Sequence, residues 1–514
     1  MRCSSLLPVL LLSMLLTGCD DGKGDDTGDT TPDTTDASDD TDGADDDTDD
    51  GADDTDDDTD DDTDDDTDGT DDTGPTDTDT GGPPASFTTP QVSGVTARVN
   101  DTIGSVVHVI WDQLEPGSVW VEFSFEDGIW QRSPAVDTAA GPQEHLLLGV
   151  PFDTAVTYRV VNDFSATAQS DGPLLDVEAA ITTDILSTRA PYPLSVSGDA
   201  DGWDPDTDYV FLTMQDSDSG ALCWAFIIDR EGRIVWAWEM DRFTISMHAQ
   251  PSYDGDHMLI DINTYWSGLF DAESSSVIRM TLDGEILETV PTPGLHHPFT
   301  ELDDGSIAWA AIDRYNEKLM VSDPSGTISE LWDCAEFVDA IGASEYCGSN
   351  TLRWDPRDDT FLYSFYSMET MVQIDASTGE TLRYFGHATG AWGFAGLDQA
   401  FWWQHGGYFT EAGTLLLSSK DRNNGDETVV NEYSLDEETE TLSLIWSFGR
   451  DEGIYGDTMG EAHRLAGGNT LHNYGSAGHL REITPGGEVV WEVDWAGDFM
   501  GRSTPLADLY ALAP

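Results

Sequence analysis

Histidine is sparse, 11 in 514 residues, yet two copies head stretches of the same layout. His297 opens His297-Pro298-Phe299-Thr300-Glu301-Leu302-Asp303-Asp304-Gly305, and His405 opens His405-Gly406-Gly407-Tyr408-Phe409-Thr410-Glu411-Ala412-Gly413. In both, the turn glycine follows the imidazole by eight residues. Looser copies run from His248 to Gly255 and from Glu461-Ala462-His463 to Gly468. A neutral imidazole is a nucleophile and a proton acceptor near pH 7. Imidazoles at one register of a repeated element would converge on a shared site. The alternative is that each caps its own turn or fills a packed polar slot.

The element that must carry them is a repeat. A strand, a turn with Asp or Pro and Gly, and a second strand often ending in Trp recur six times, for example Ile227-Ile228-Asp229-Arg230-Glu231-Gly232-Arg233-Ile234-Val235-Trp236. The turns at 229, 283, 323, 375, 436 and 485 lie 54, 40, 52, 61 and 49 residues apart. Four strands per such period make a β-propeller blade, so residues 206–500 read as a six-bladed propeller, with a C-terminal tail at 501–514. The innermost strands of a propeller line its central channel, which brings imidazoles from distant stretches to one mouth. Residues 86–184 alternate apolar and polar, as in Val119-Trp120-Val121-Glu122-Phe123, and read as an immunoglobulin- or fibronectin-like β-sandwich. The fold class is all-β.

Before these domains lies an address and a stalk. Residues 1–18 read as a lipoprotein signal peptide: one Arg, an apolar run from Leu6 to Leu16, and Leu16-Thr17-Gly18-Cys19, which resembles a bacterial lipobox. Cys19 is then the lipidated residue, and the expected location is the bacterial cell envelope, with the lipid as membrane anchor. Residues 19–85 are Asp, Thr and Gly repeats that cannot form a core; a solvated spacer and a diffuse cation binder are both open readings. The formal charge of −80 excludes a nucleic-acid partner. Residues 20–83 supply 31 Asp and one Lys, but residues 84–514 still hold 70 acids against 19 bases. In an oxidising compartment Cys334 and Cys347 can pair, with 12 residues between them, while Cys223 sits in an apolar run as a free thiol.

Leu295-His296-His297-Pro298-Phe299, Asn350-Thr351-Leu352-Arg353-Trp354-Asp355, Trp403-Gln404-His405-Gly406 and Gly468-Asn469-Thr470-Leu471 together resemble the bacterial arylsulfotransferase family. The resemblance implies transfer of a sulfuryl group from an aryl sulfate to a phenolic acceptor through a sulfated histidine. It implies no nucleotide cofactor and no metal. His405 would be the nucleophile and His297 an acid/base or sulfate ligand; His296, His248, His463, Tyr366 and Asn350 would contact substrate. Two positions depart from the family pattern: Gly348 and Tyr366 stand where a His and an Arg are expected. Lys420, Arg422, Arg353 or Arg464 could supply the missing cation. Trp392, Phe394, Phe401, Trp402, Trp403 and Tyr408 could wall a phenol site or pack between blades. Two further readings stay open: a propeller that lost catalysis and binds a ligand or protein, and a metal- or quinone-binding propeller built on His296-His297. The oligomeric state is unspecified.

Overall fold

The computed structural model describes residues 86–514, apart from 217–221, 242–243, 267–271, 314–315, 423–425, 496–498 and 514. The signal peptide, Cys19 and the acidic stalk lie outside the described residues.

Residues 84–514 form one unit. Its first part is two facing sheets. Val92–Val99, Val107–Gln113 and Gly141–Leu147 make one; Gly117–Glu126 and Ala155–Asp163 centre the other. Alternation in these strands turns Trp111, Val119, Val121, Phe123, Val156, Tyr158 and Val160 inward. The sandwich shares a core with the second part of the unit: Ile103, Val106 and Leu148 pack with Phe211, Trp236 and Leu282.

The second part is six sheets in series, antiparallel except for the short outer strand Gly393–Phe394, and makes a six-bladed propeller. The inner strands are Ala249–Pro251, Leu295–Glu301, Ser349–Asp355, His405–Phe409, Glu461–Arg464 and Phe499–Leu506. The recurring Trp has a defined task. Its indole N–H must find a partner when buried, and it finds one on the next blade. Trp236 donates to the Leu282 carbonyl at 2.8 Å, Trp332 to Thr381 Oγ1 at 2.9 Å, Trp446 to the Pro485 carbonyl at 3.1 Å and Trp491 to the Arg230 carbonyl at 2.7 Å. Each acceptor lies in or beside the neighbour's outer hairpin turn, so the repeat carries its own blade-to-blade clamp.

The propeller extends beyond the 206–500 range at both ends. Ser195–Gly198 pairs with Val489–Asp494 as a fifth, outer strand. Residues expected to form a tail instead belong to the strand Phe499–Leu506, antiparallel to Tyr209–Asp216, followed by the packed Leu509 and Leu512. The physical reason is the edge: without residues 499–506 the first blade would present unpaired backbone to the channel. Deleting residues 499–514 is therefore expected to abolish cooperative thermal unfolding of the propeller. A deleted chain that melts at the parent temperature would refute this role for the closing strand.

Candidate active site

His405 begins its inner strand, and the residues around it fix both its place and its tautomer. Gln404 is fully buried and donates to Ser364 Oγ at 3.1 Å and to the carbonyls of Phe365 and Thr370 at 3.2 Å. Its own carbonyl accepts from Asn350 Nδ2 at 2.6 Å. Trp403 has φ +44°, a left-handed conformation that costs a non-glycine residue energy. That bend aims the Trp403 carbonyl at His405 Nδ1, 3.0 Å away. A carbonyl can only accept, so Nδ1 holds the proton and Nε2 keeps its lone pair. On the other side Gly406 has φ +61° and donates its N–H to Thr351 Oγ1 at 2.8 Å. A Cβ at 406 would lie 2.1 Å from Glu461 Cβ, which explains the glycine after the imidazole.

Burial, with added repulsion from Lys420 and Arg502, pushes the His405 pKa down to about 3. His297 lies within the electrostatic reach of His405. Burial, then the charges of His296, His405 and Arg502, hold it well below the ordinary 6.5. Its ring is 4.5 Å from His296 and 5.1 Å from Trp266, centroid to centroid. His296 is turned elsewhere: its Nε2 lies 3.2 Å from Glu317 Oε1, a buried carboxylate that also accepts from the Ser349 N–H and the Tyr363 hydroxyl. Tyr366 stacks against His405 at 6.4 Å and 24°. Asn350 spends its amide on the Gln404 carbonyl, so it positions the nucleophile's strand.

Beneath these rings is an ionic layer. Glu461, fully buried, takes Arg353 Nη2 at 2.9 Å, Arg502 Nη1 at 3.0 Å and the Ser503 N–H at 2.7 Å, with His463 Nε2 at 3.3 Å. Burial alone would raise the Glu461 pKa, but His463, Arg502 and Arg353 overcome it and hold it well below the ordinary value. Arg502 also donates to Thr351 Oγ1 at 2.9 Å and to the Asn350 carbonyl. His248 and His463 belong to this layer. His248 is buried against Phe299, neither ring nitrogen has a hydrogen-bond partner among the described residues, and burial plus Arg353 and Arg502 keep it neutral.

Of the other cations, Lys420 comes nearest in effect. It is buried, donates to the Asp457 carbonyl at 2.9 Å and lies 4.1 Å over the Tyr455 ring; burial lowers its pKa to about 8 against the pull of Asp457 and Asp426. Arg422 is stacked on Trp402 and Trp403 at 4.1 and 4.0 Å. Arg464 pairs with Glu432 at 2.5 Å and, with Arg353, Tyr408 and His463, lines a cavity of about 650 Å³. That cavity takes in Phe409 and Thr410, at the far end of the strand that His405 begins. Trp392, Phe394 and Phe401 pack in their blade core, so they are not a phenol wall. Cys223 is buried, its thiol pushed up to about 12 by burial, and inert. Cys334 and Cys347 are joined. Among the described residues, His479, Glu492 and Asp494 bring ligand atoms within 4.8 Å of one another, but Arg481 already holds Glu492 at 2.7 Å.

The arylsulfotransferase (ASST) family model matches residues 204–499, more than half of the chain. The chain belongs to the arylsulfotransferase family. No curated protein matches it. Solved structures with similar folds include a protein of unknown function from Bacteroides caccae, at 13% identity and TM-score 0.39, covering 59% of this chain and 100% of that one. The periplasmic gluconolactonase of Pseudomonas aeruginosa has 12% identity and TM-score 0.39, covering 76% and 100%. A virginiamycin B lyase from Staphylococcus aureus has 13% identity and TM-score 0.35, covering 58% and 87%. Within this arylsulfotransferase propeller, Arg502 falls beyond the matched residues, and it and Glu461 are site residues that the motifs did not single out.

The buried imidazoles set the acid response. His405, His297 and His248 have folded pKa values below the ordinary 6.5, so the unfolded chain binds more protons between those values. Stability therefore falls as pH drops through 6.5. Asp261, pushed up to about 6 by burial, opposes this, as do Asp208, Asp229 and Glu369, which burial also raises, but burial lowers His145, His387 and His472 beside those three imidazoles. The urea midpoint is expected to be lower at pH 5 than at pH 7.5, with a smaller difference in His297→Asn. An equal or higher midpoint at pH 5 would contradict the burial argument.

Proposed function

We propose that this chain transfers a sulfuryl group from an aryl sulfate to a phenolic acceptor, with His405 Nε2 as nucleophile. The observation that carries the reading is the Trp403–His405 contact, which leaves a neutral, Nδ1-protonated imidazole with its Nε2 lone pair uncommitted to the backbone. In the first step Nε2 attacks sulfur, the S–O bond to the phenol breaks and the phenolate leaves with the bonding pair. In the second an acceptor phenol attacks the sulfated nitrogen's sulfur, losing its proton to solvent or a nearby base, and the imidazole is restored. Family membership supports aryl sulfates and phenols as the substrate class. His297, held neutral by burial and neighbouring charge, suits a hydrogen-bonding ligand to the sulfuryl oxygens better than a cationic acid. The field of Lys420 and Arg502 at His405 supports an anionic transition state there. Residues 1–19 support export and acylation at Cys19, with the acidic stretch to residue 85 as a tether.

A second reading is a propeller that binds such ligands without turnover, favoured by Gly348 and Tyr366 at the two departing positions. The two separate in one assay. With a chromogenic aryl sulfate and a phenol acceptor, the full chain is expected to release phenol in proportion to acceptor, and His405→Ala to lose at least about 10³-fold. The acid limb of kcat/KM is expected below pH 5, because the nucleophile stays neutral to about pH 3. A folded wild-type chain without turnover would decide for the binder.

A further inference from the structure

The segment before Asn350 is held over the site by three constraints. The helix Cys334–Ile341 is capped by Asp333, whose side chain accepts the Ala335 and Glu336 N–H groups, and ends at Gly342. The chain then returns to Cys347, which the disulfide ties back to the helix start. Ser367 completes the hold: its hydroxyl donates to the Tyr346 carbonyl at 2.8 Å and accepts the Gly348 N–H at 2.9 Å. This presents Tyr346, half exposed, with its hydroxyl 3.0 Å from that of Tyr366. Tyr366 in turn lies nearly parallel to the His405 ring.

Gly348 is what makes room. A Cβ there would sit 3.0 Å from Tyr346 Cε2 and 3.2 Å from Ser367 Cβ and Oγ. Any side chain at 348 requires the Tyr346 ring or Ser367 to give by a few tenths of an ångström. The glycine and the two tyrosines are thus one steric arrangement, beside the nucleophile.

We propose that Tyr346 and Tyr366 form a paired-hydroxyl site, one hydroxyl donating to the other and the pair donating one hydrogen bond to an oxygen of a sulfuryl or sulfonate head group bound at His405, with the Cys334–Cys347 disulfide holding Tyr346 in register. The ligand class rests on the sulfuryl-transfer reading. The chemistry fits: adjacent hydroxyls polarise one another, tetrahedral anionic oxygens accept from neutral O–H donors, and the Tyr366 ring offers an aromatic shelf for the aryl part. Lys420 and Arg502 bring positive charge to the same imidazole, while the hydroxyls supply direction.

The test uses benzenesulfonate, whose C–S bond is not cleaved by transfer, titrated calorimetrically into the full chain. Tyr346→Phe and Tyr366→Phe are each expected to weaken binding about tenfold, and the double variant to lose less than the product of the two. Reducing the disulfide, or Cys334→Ser with Cys347→Ser, is expected to weaken the parent to the level of Tyr346→Phe and to leave Tyr346→Phe unchanged. Phenylalanine variants that bind like the parent, or a parent that binds no sulfonate, would overturn the proposal. Tyrosine-dependent binding without turnover would sink the transfer reading and leave this site standing; turnover with binding indifferent to both tyrosines would do the reverse.

Discussion

The buried carboxylate of Glu461 is the contact on which the rest of the site depends. It sits on one inner strand and collects Arg353 from a second and Arg502 from the strand that closes the ring. An ion pair taken this far out of water gives little net stability, because desolvation offsets attraction. Its removal is costly all the same, about 3–5 kcal/mol for loss of one partner, since the survivor is left charged and buried. The consequence is registry. Three strands from distant parts of the chain must meet at one level of the channel or leave an uncompensated charge. Gly406 backs directly onto Glu461, so the height of His405 is set by the same contact.

Two layers of different character result. The ionic group has two guanidinium groups on one carboxylate, Glu461; the imidazoles of His405 and His297 are kept neutral by burial. Their order matters for chemistry. A cationic imidazole would bind sulfate but could not attack sulfur, whereas a neutral one set over fixed guanidinium groups can attack while the field favours an anion. The same arrangement concentrates positive charge at one place in a region with 70 acids and 19 bases. Arg353, Arg502 and Lys420 are buried or half-buried near the axis, where screening by solvent is weak.

Much of the scaffold was legible in the sequence because its signals are local. The Asp-Gly hairpins and their Trp residues repeat within each blade, and both partners of each hairpin lie within about twenty residues. His405 and His297 were legible for the same reason, by matched distance to a turn. Arg502 was not. Its strand pairs with residues 209–216, nearly three hundred positions earlier, and it follows the last repeat, so it looked like tail. Glu461 reads as an ordinary polar residue at the head of a loose repeat; only the convergence of Arg353 and Arg502 gives it a role. The pairing of His296 was equally hidden, because it depends on Glu317 reaching it from Asn316–Ser322, two strands away in the same blade. The aromatic run around His405 left a phenol wall and blade packing both open, since density of rings in sequence does not say which face they occupy.

Loss and replacement of site residues leave different physical traces. Where a side chain has merely been lost, its former neighbours keep polar groups without partners or a void that nothing fills. Ser349 Oγ, next in the chain, is buried without a hydrogen-bond partner among the described residues, but Gly348 itself is closely packed. Its N–H is taken by Ser367, the same hydroxyl satisfies the Tyr346 carbonyl, and the Tyr346 ring comes so close that a methyl group at 348 would crowd it. Tyr366 fills its own place against His405 and meets Tyr346 through their hydroxyls. A motif comparison scores these two positions as independent absences. The packing shows them as coupled: the smaller residue at one position admits the ring that engages the larger residue at the other. The two departures from the family pattern, Gly348 and Tyr366, are therefore joined through Tyr346, which lies against the one and meets the hydroxyl of the other.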